Sequence, residues 1–258
     1  METFKALFIA SLKSQTEYRF NFIMDIILSG LAIFSDFMIT LVILSNFKDM
    51  AGWNLGEIAL IYSIIEGGWG IFRLFGEGLH RFQELTLSGR FDVMLIRPVS
   101  TVKQVMLQKF QFRRLGVIGQ AVGVGIIGAL YADMASPGFF VVYCILIVLS
   151  AMLIFSVNLI LSAIAFWTIR NEDILVLASY SMRTAAYYPL NIYADFVKIV
   201  LTFIVPMATA AYYPMSYLSG KTDSIFALIA PILSLIVFMP LSFWLWKQGE
   251  KHYSSTGS

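Results

Sequence analysis

The sequence predicts an all-α, polytopic membrane protein, a single transmembrane domain over residues 1–258 with six spans. Three observations carry that prediction. First, 59% of the 258 residues are hydrophobic and only 13% charged, with a mean hydropathy of +0.78. A soluble globular domain carries about 25% charged residues, and a soluble fold of this length cannot hide so much apolar surface. Second, apolar stretches of the ~20 residues needed to cross a bilayer recur along the chain. Third, the positive charge is clustered. Arg73, Arg81, Arg90, Arg97, Lys103, Lys109, Arg113 and Arg114 lie in or beside one polar island at 76–114, which makes eight of the eighteen Lys and Arg residues.

Residues 1–18 read as an interfacial helix. Phe4, Leu7, Phe8 and Leu12 share one side, while Lys5, Lys13 and Glu17 take the other. Such a helix lies in the membrane surface without crossing it. No cleavable signal peptide is expected, because this stretch is amphipathic rather than a basic patch before an apolar run. Residues 20–47 form the first span, with Asp36 near its middle. A carboxylate there costs about 2.5–3.5 kcal/mol on insertion scales, so it should face protein or water. The loop 48–55 places Trp53 at the interface.

Residues 57–75 form the second span, with Glu66 at its centre. Gly67, Gly68 and Gly70 follow it and allow close helix approach or a local break. In the island, Leu79, Phe82 and Leu85 against His80, Arg81 and Glu84 predict a short amphipathic helix. Ser88-Gly89 should break it, and Phe91–Ile96 is compact and apolar. Thr101 with Gln104 three residues on is a capping-box signal. Residues 115–131 form the third span, where Gly119 and Gly123 make a GxxxG pair suited to packing within the subunit or against another.

Residues 138–167 form the fourth span, with Asn158 its notable polar residue. Residues 170–188 carry Arg170, Glu172, Asp173 and Arg183 and read as a cytoplasmic helical segment. The main alternative is a seventh span through 178–190. Residues 191–213 form the fifth span, kinked at Pro206, with Asp195 and Lys198 spaced to pair. Residues 225–246 form the sixth, with a Trp244/Trp246 belt at its inner end.

With both termini inside, sixteen of the eighteen basic residues face the cytoplasm; only Lys48 and Lys221 are outside. This is a strong positive-inside bias. The same residues exclude other classes. The net charge of +2 gives no reason to expect nucleic acid. Cys144 is the only cysteine, and His80 and His252 are the only histidines, so a metal cluster is not expected. Gly220-Lys221-Thr222 resembles the end of a phosphate loop, but Met215 stands where that motif requires glycine. No GxSxG motif is present. Asp36, Glu66 and Asn158 remain as a translocation path or as intramembrane polar contacts.

Two stretches carry a resemblance. Gly89-Arg-Phe-Asp-Val-Met-Leu-Ile-Arg-Pro98 is similar to the loop "G-x-[LF]-D-x-x-L-[LI]-[RK]-P", and 191–220, with Tyr193, Pro206, Tyr213-Pro214 and Leu218, resembles a fifth span and its turn. Both point to the ABC-2 type permeases, the membrane subunits of one class of ATP-binding-cassette exporters, and within them to a bacterial branch. The resemblance implies a cell-membrane protein that exports an unidentified substrate. It would pair with a second permease, identical or similar, above two cytoplasmic ATPase subunits. Those subunits would bind the ATP and magnesium, and this chain would hold no cofactor. The loop 77–98 would contain the coupling helix, with the contact carried by Arg81, Glu84, Gly89, Arg90, Asp92, Leu95, Arg97 and Pro98. Arg113 and Arg114 lean toward lipid phosphate. One departure stands against a full transfer. Better-known relatives often have an extended, partly re-entrant segment before the sixth span, and here the outer loop is short. Two other readings are a secondary transporter using Asp36 and Glu66 as proton or cation sites and a membrane-embedded enzyme. The first should show an internal inverted repeat, which the two halves lack.

Overall fold

The computed structural model describes Met24, Leu28, Ser35, Met38, residues 51–108, Gln111, residues 114–168 and residues 172–254. The expected helix over 1–18, Asp36, Lys109, Arg113 and Arg170 lie outside the described residues. Of the first span, only the four single positions are described, and each is helical. All regular structure among the described residues is helical, without a strand.

Helix α1 (Leu55–His80) is the element the others surround. Its start follows from a capping box. Asn54 Oδ1 accepts from the Glu57 amide at 2.9 Å, and the Glu57 carboxylate accepts from the Asn54 amide at 2.8 Å. Twenty-six residues at 1.5 Å each make it about 39 Å long, so it crosses the hydrocarbon and continues into the basic island. It runs through Gly67, Gly68 and Gly70 without a break. Near its far end Gly78 admits the backbone of a neighbouring helix: a Cβ there would lie 1.8 Å from the Val105 carbonyl oxygen.

Three short helices follow, α2 (Phe82–Leu87), α3 (Arg90–Leu95) and α4 (Thr101–Leu107). Helix α5 (Arg114–Tyr131) then returns along α1. Helix α6 (Pro137–Ala163) starts where Ser136 caps it and Pro137 opens its first turn. It packs along α1, with Tyr143 OH donating to Ser63 Oγ at 3.0 Å and Ser162 Oγ to the Leu79 carbonyl at 3.0 Å. A 3₁₀ turn, Ile164–Phe166, extends it. Helix α7 (Glu172–Ala185) comes next, then α8 (Asp195–Ile199), which runs into a π-helical turn at Val200–Ile204. After a break at Val205 and Pro206 come α9 (Met207–Ala210), α10 (Tyr212–Leu218) and the long α11 (Ile225–His252).

The helices define two ends. At one, Trp53, Asn54 and the start of α1 meet the end of α5 and residues 191 and 221. At the other, the basic island meets the end of α6 and the last turns of α11. Among the described residues four helical stretches are long and apolar enough to cross a membrane: 55–87, Arg114–Tyr131, 137–166 and Ile225–His252. A bent pair, Asp195–Ile204 with Met207–Leu218, can supply a fifth.

The structure corrects several expectations. The segment expected as one span at 191–213 is two helices bent by 71° at Pro206, where ring and missing N–H interrupt the ladder. Before it, Asn191 Nδ2 donates to the Ala51 carbonyl at 2.8 Å; after it, Lys221 Nζ donates to the Gly52 carbonyl at 2.8 Å. Met207, between the two, lines a small cavity with Ile65, Trp69 and Asn158, well inside the bundle. The segment therefore enters from the 51–57 end and comes back to it. The expected surface helix at 170–188 is also displaced. Ser179 is fully buried and Arg183 reaches the middle of α1. Trp53 and Trp246, expected in interfacial belts, are both buried, at 2% and 1% exposure. Among the described residues nothing packs on Gly119 or Gly123: a Cβ on either would meet none of their atoms within 4 Å.

Candidate functional site

The basic island folds into a compact unit at one end of the bundle. Gly89 stands between α2 and α3 with φ +68°, a left-handed conformation that costs other residues roughly 1–2 kcal/mol. This is the expected break at Ser88-Gly89, and it reverses the chain so that α3 lies back on α2. Leu79, Phe82, Leu85, Phe91 and Met94 turn inward and are buried. His80, expected on the polar face, is buried too, its ring against Trp69 and Phe72.

Helix α4 starts at Thr101, but the expected capping box does not form. Gln104 Nε2 instead donates to the carbonyls of Met94 at 2.9 Å and Val99 at 2.8 Å, pinning the 94–104 turn.

The candidate contact residues fall on this unit. Arg81, Glu84, Arg90, Leu95, Arg97 and Pro98 are exposed, while Gly89 and Asp92 are half-buried. Arg81 pairs with Glu84 at 3.7 Å across one helical turn. The tip is apolar as well as basic, since Ile96 is 83% exposed between Leu95 and Arg97. Arg90 and Arg97 lie on the same exposed tip as Ile96.

The back of the unit is tied to the last helix. Phe82 and Phe91 pack with Phe166, Trp246 and Tyr253, with ring centroids 4.5 Å apart for Phe82–Trp246 and 5.0 Å for Phe91–Tyr253. Such spacings fall in the favourable range for aromatic pairs. Trp246 Nε1 donates to Thr101 Oγ1 at 3.0 Å and to Glu250 Oε1 at 2.9 Å, and Thr101 donates to Glu250 in turn. Burial, and then the Asp92 side chain, push the Tyr253 phenol up to about 12. Asp92 thus leans toward α11.

Inside the bundle, Glu66 and Asn158 both hold α7. Glu66 Oε1 accepts from Arg183 Nε at 2.5 Å and from Tyr187 OH. The guanidinium also lies 5.7 Å from the Trp69 ring centroid, within cation–π range. Asn158 Nδ2 donates to the Ile154 carbonyl at 2.8 Å, and its Oδ1 accepts from Ser179 Oγ at 2.8 Å. These bonds satisfy the buried polar groups locally. Tyr187 and Ser179 did not stand out in the sequence, and Arg183 did only as the charge that a span through 178–190 would bury. The available signal was pairing, one buried acid and one basic residue in an otherwise apolar setting. Lys221, in the phosphate-loop look-alike, pairs with Glu57 at 3.0 Å.

A protein-family model described as ABC-2 family transporter protein matches residues 31–257. No curated protein and no solved structure matches the chain.

Proposed function

The chain belongs to the ABC-2 family of transporter proteins, and from that premise we propose that it is a permease driven by separate ATPase subunits that grip the Arg90–Pro98 tip. Members of the family are multi-pass membrane subunits that associate with ABC ATPases. The observation that carries the reading is the unit's two-sidedness. Its front, with Arg90, Leu95, Ile96 and Arg97, is exposed, and its back is bonded and packed to the end of α11. A push on the front is therefore a push on the last span.

In this reading two ATPase subunits sit beneath two permeases, this chain and an identical or similar partner. They bind the ATP and magnesium, and the substrate leaves a bacterial cell through its inner membrane. Both termini are cytoplasmic. The sixth crossing comes from 172–191, which starts near the end of α6 and reaches Ala51, rather than from 191–213. The bent pair is then a re-entrant element before the last span, the part the short outer loop gave no reason to expect.

The rival reading, a secondary transporter with Glu66 as a proton site, is weakened by the partners of that carboxylate. A carboxylate that accepts from an arginine and a tyrosine of the same chain is engaged in a structural contact. The test is copurification. Arg90→Glu with Arg97→Glu should cost at least tenfold in capture of an ABC ATPase subunit that copurifies with the unaltered chain. Undiminished capture overturns the proposal.

A further inference from the structure

At the end opposite the basic tip, a cavity of about 920 Å³ lies between the bent pair and the first half of α11. That is near the top of the range of roughly 300–1,000 Å³ for small-molecule sites. From this cavity we infer a binding site for a single-chain anionic amphiphile, with its head at Lys221 and its tail along α11.

The lining is graded along its length. Near the 51–57 end it holds Lys221, whose ammonium lies 4.8 Å from the Trp53 ring centroid. Among the described residues its acceptors are the Gly52 carbonyl and Glu57, two partners for a group with three donors. Beside it, Thr202 and Tyr213 share one hydrogen bond at 3.2 Å, which leaves one of the two hydroxyl protons for an incoming acceptor. Among the described residues no acid lines the cavity, and Lys221 is the one charged residue that does. Glu57 balances the Lys221 charge from outside the lining, so the head end favours an anion through its ammonium and hydroxyl donors.

Farther along, the wall becomes apolar. From Phe226 to Phe238 is twelve residues, about 18 Å of helix, and Ala227, Ala230, Leu233 and Val237 line that length. Phe203 and Phe226 stand at the sides, 72% and 68% exposed, and so face the lipid. The opening is therefore lateral, reached from the bilayer, as suits a molecule that is already dissolved there. As a transport substrate this ligand rests on the permease reading, but its binding does not.

The test uses the full chain in lipid nanodiscs, with a diazirine-bearing fatty acid and the alkylamine of the same chain length. The fatty acid should label peptides within 202–213 and 226–238 saturably, and unlabelled fatty acid should compete it away. The amine should label at least tenfold less. Ala230→Trp, which fills the cavity, should cut labelling at least tenfold, whereas Ile236→Trp on the lipid-facing side should not. If Ala230→Trp fails to fold, Ser234→Phe serves in its place. Non-saturable labelling spread over every lipid-facing helix, equal labelling by acid and amine, or photo-cross-links joining two copies through these residues would each overturn the site. Capture of the ATPase, measured on the same preparation, separates the two proposals: intact capture without fatty-acid labelling removes only this one.

Discussion

Helices α1 and α11 are close in length and both apolar enough to cross a membrane, yet their most apolar windows are 89% and 22% buried within the chain. The difference lies in what each must shield. Helix α1 carries Glu57, Glu66, Arg73, Glu77 and His80, all buried. Each needs a partner or a packed cover, because an unmatched polar group in hydrocarbon costs several kcal/mol. Helix α1 itself, α7 and the loop after α10 supply the partners. Arg73 and Glu77 pair at 2.7 Å, Glu66 takes Arg183, and Glu57 takes Lys221. Helix α11 has no charged residue between Ile225 and Trp246 and leaves Ile232 and Ile236 exposed. It is held at its last turns by Trp246, Gly249 and Glu250, while its first half lines the cavity. One helix is thus enclosed on most sides, and the other packs one face along α6 and leaves the other face open. The second joins the basic unit at one end to the cavity at the other.

The strongest way to break this comparison is to wedge the enclosed helix. Gly78→Leu places a side chain into the Val105 carbonyl, and no folded protein should survive, as read by monodispersity after extraction. Next comes the buried ion pair. Arg183→Met should destabilise by about 3–5 kcal/mol because it strands the Glu66 carboxylate; Arg183→Met with Glu66→Leu should recover most of that loss in thermal unfolding. Trp246→Ala should cost about 3 kcal/mol and loosen the tie to the basic unit, so that the ATPase binds normally but its turnover no longer responds to the permease. Gly89→Ala should cost roughly 1–2 kcal/mol through its left-handed φ, with a larger fractional loss in ATPase capture than in stability.

The smallest effect concerns Tyr253. Its phenol is raised from the ordinary value near 10 to about 12, so the neutral form is the one the fold favours. That stabilisation is complete below pH ~10 and is lost as pH rises toward 12. Phenolate titration by ultraviolet absorbance should lose one late-titrating tyrosine in Tyr253→Phe, with no change between pH 6 and 9.

Much of this was legible in the sequence. The helices at 55–80, 114–131, 137–163 and 225–252 follow from unbroken apolar runs, and the Ser88-Gly89 break follows from glycine's freedom. The 172–191 segment was legible only as the alternative span through 178–190, because hydropathy weighs each residue alone. Arg183 reads as a surface charge until Glu66, 117 positions earlier, neutralises it. Trp53 and Trp246 misled for a related reason. A tryptophan near a span end suits an interface, but aromatic neighbours distant in sequence drew both inside. The coupling residues were placed by motif, and their exposure agrees with a contact surface without identifying its partner. The polar lining of the outer cavity comes from Thr202, Tyr213 and Lys221, which meet only because Pro206 turns the chain back.

The most direct measurement is the sidedness of the tip. In a Cys144→Ala background, an Ile96→Cys variant should react with a membrane-impermeant maleimide in inside-out vesicles and not in intact cells, and the ATPase subunit should protect it. Reaction from the outside of intact cells, or reaction from the inside that saturating ATPase leaves unchanged, would contradict the account.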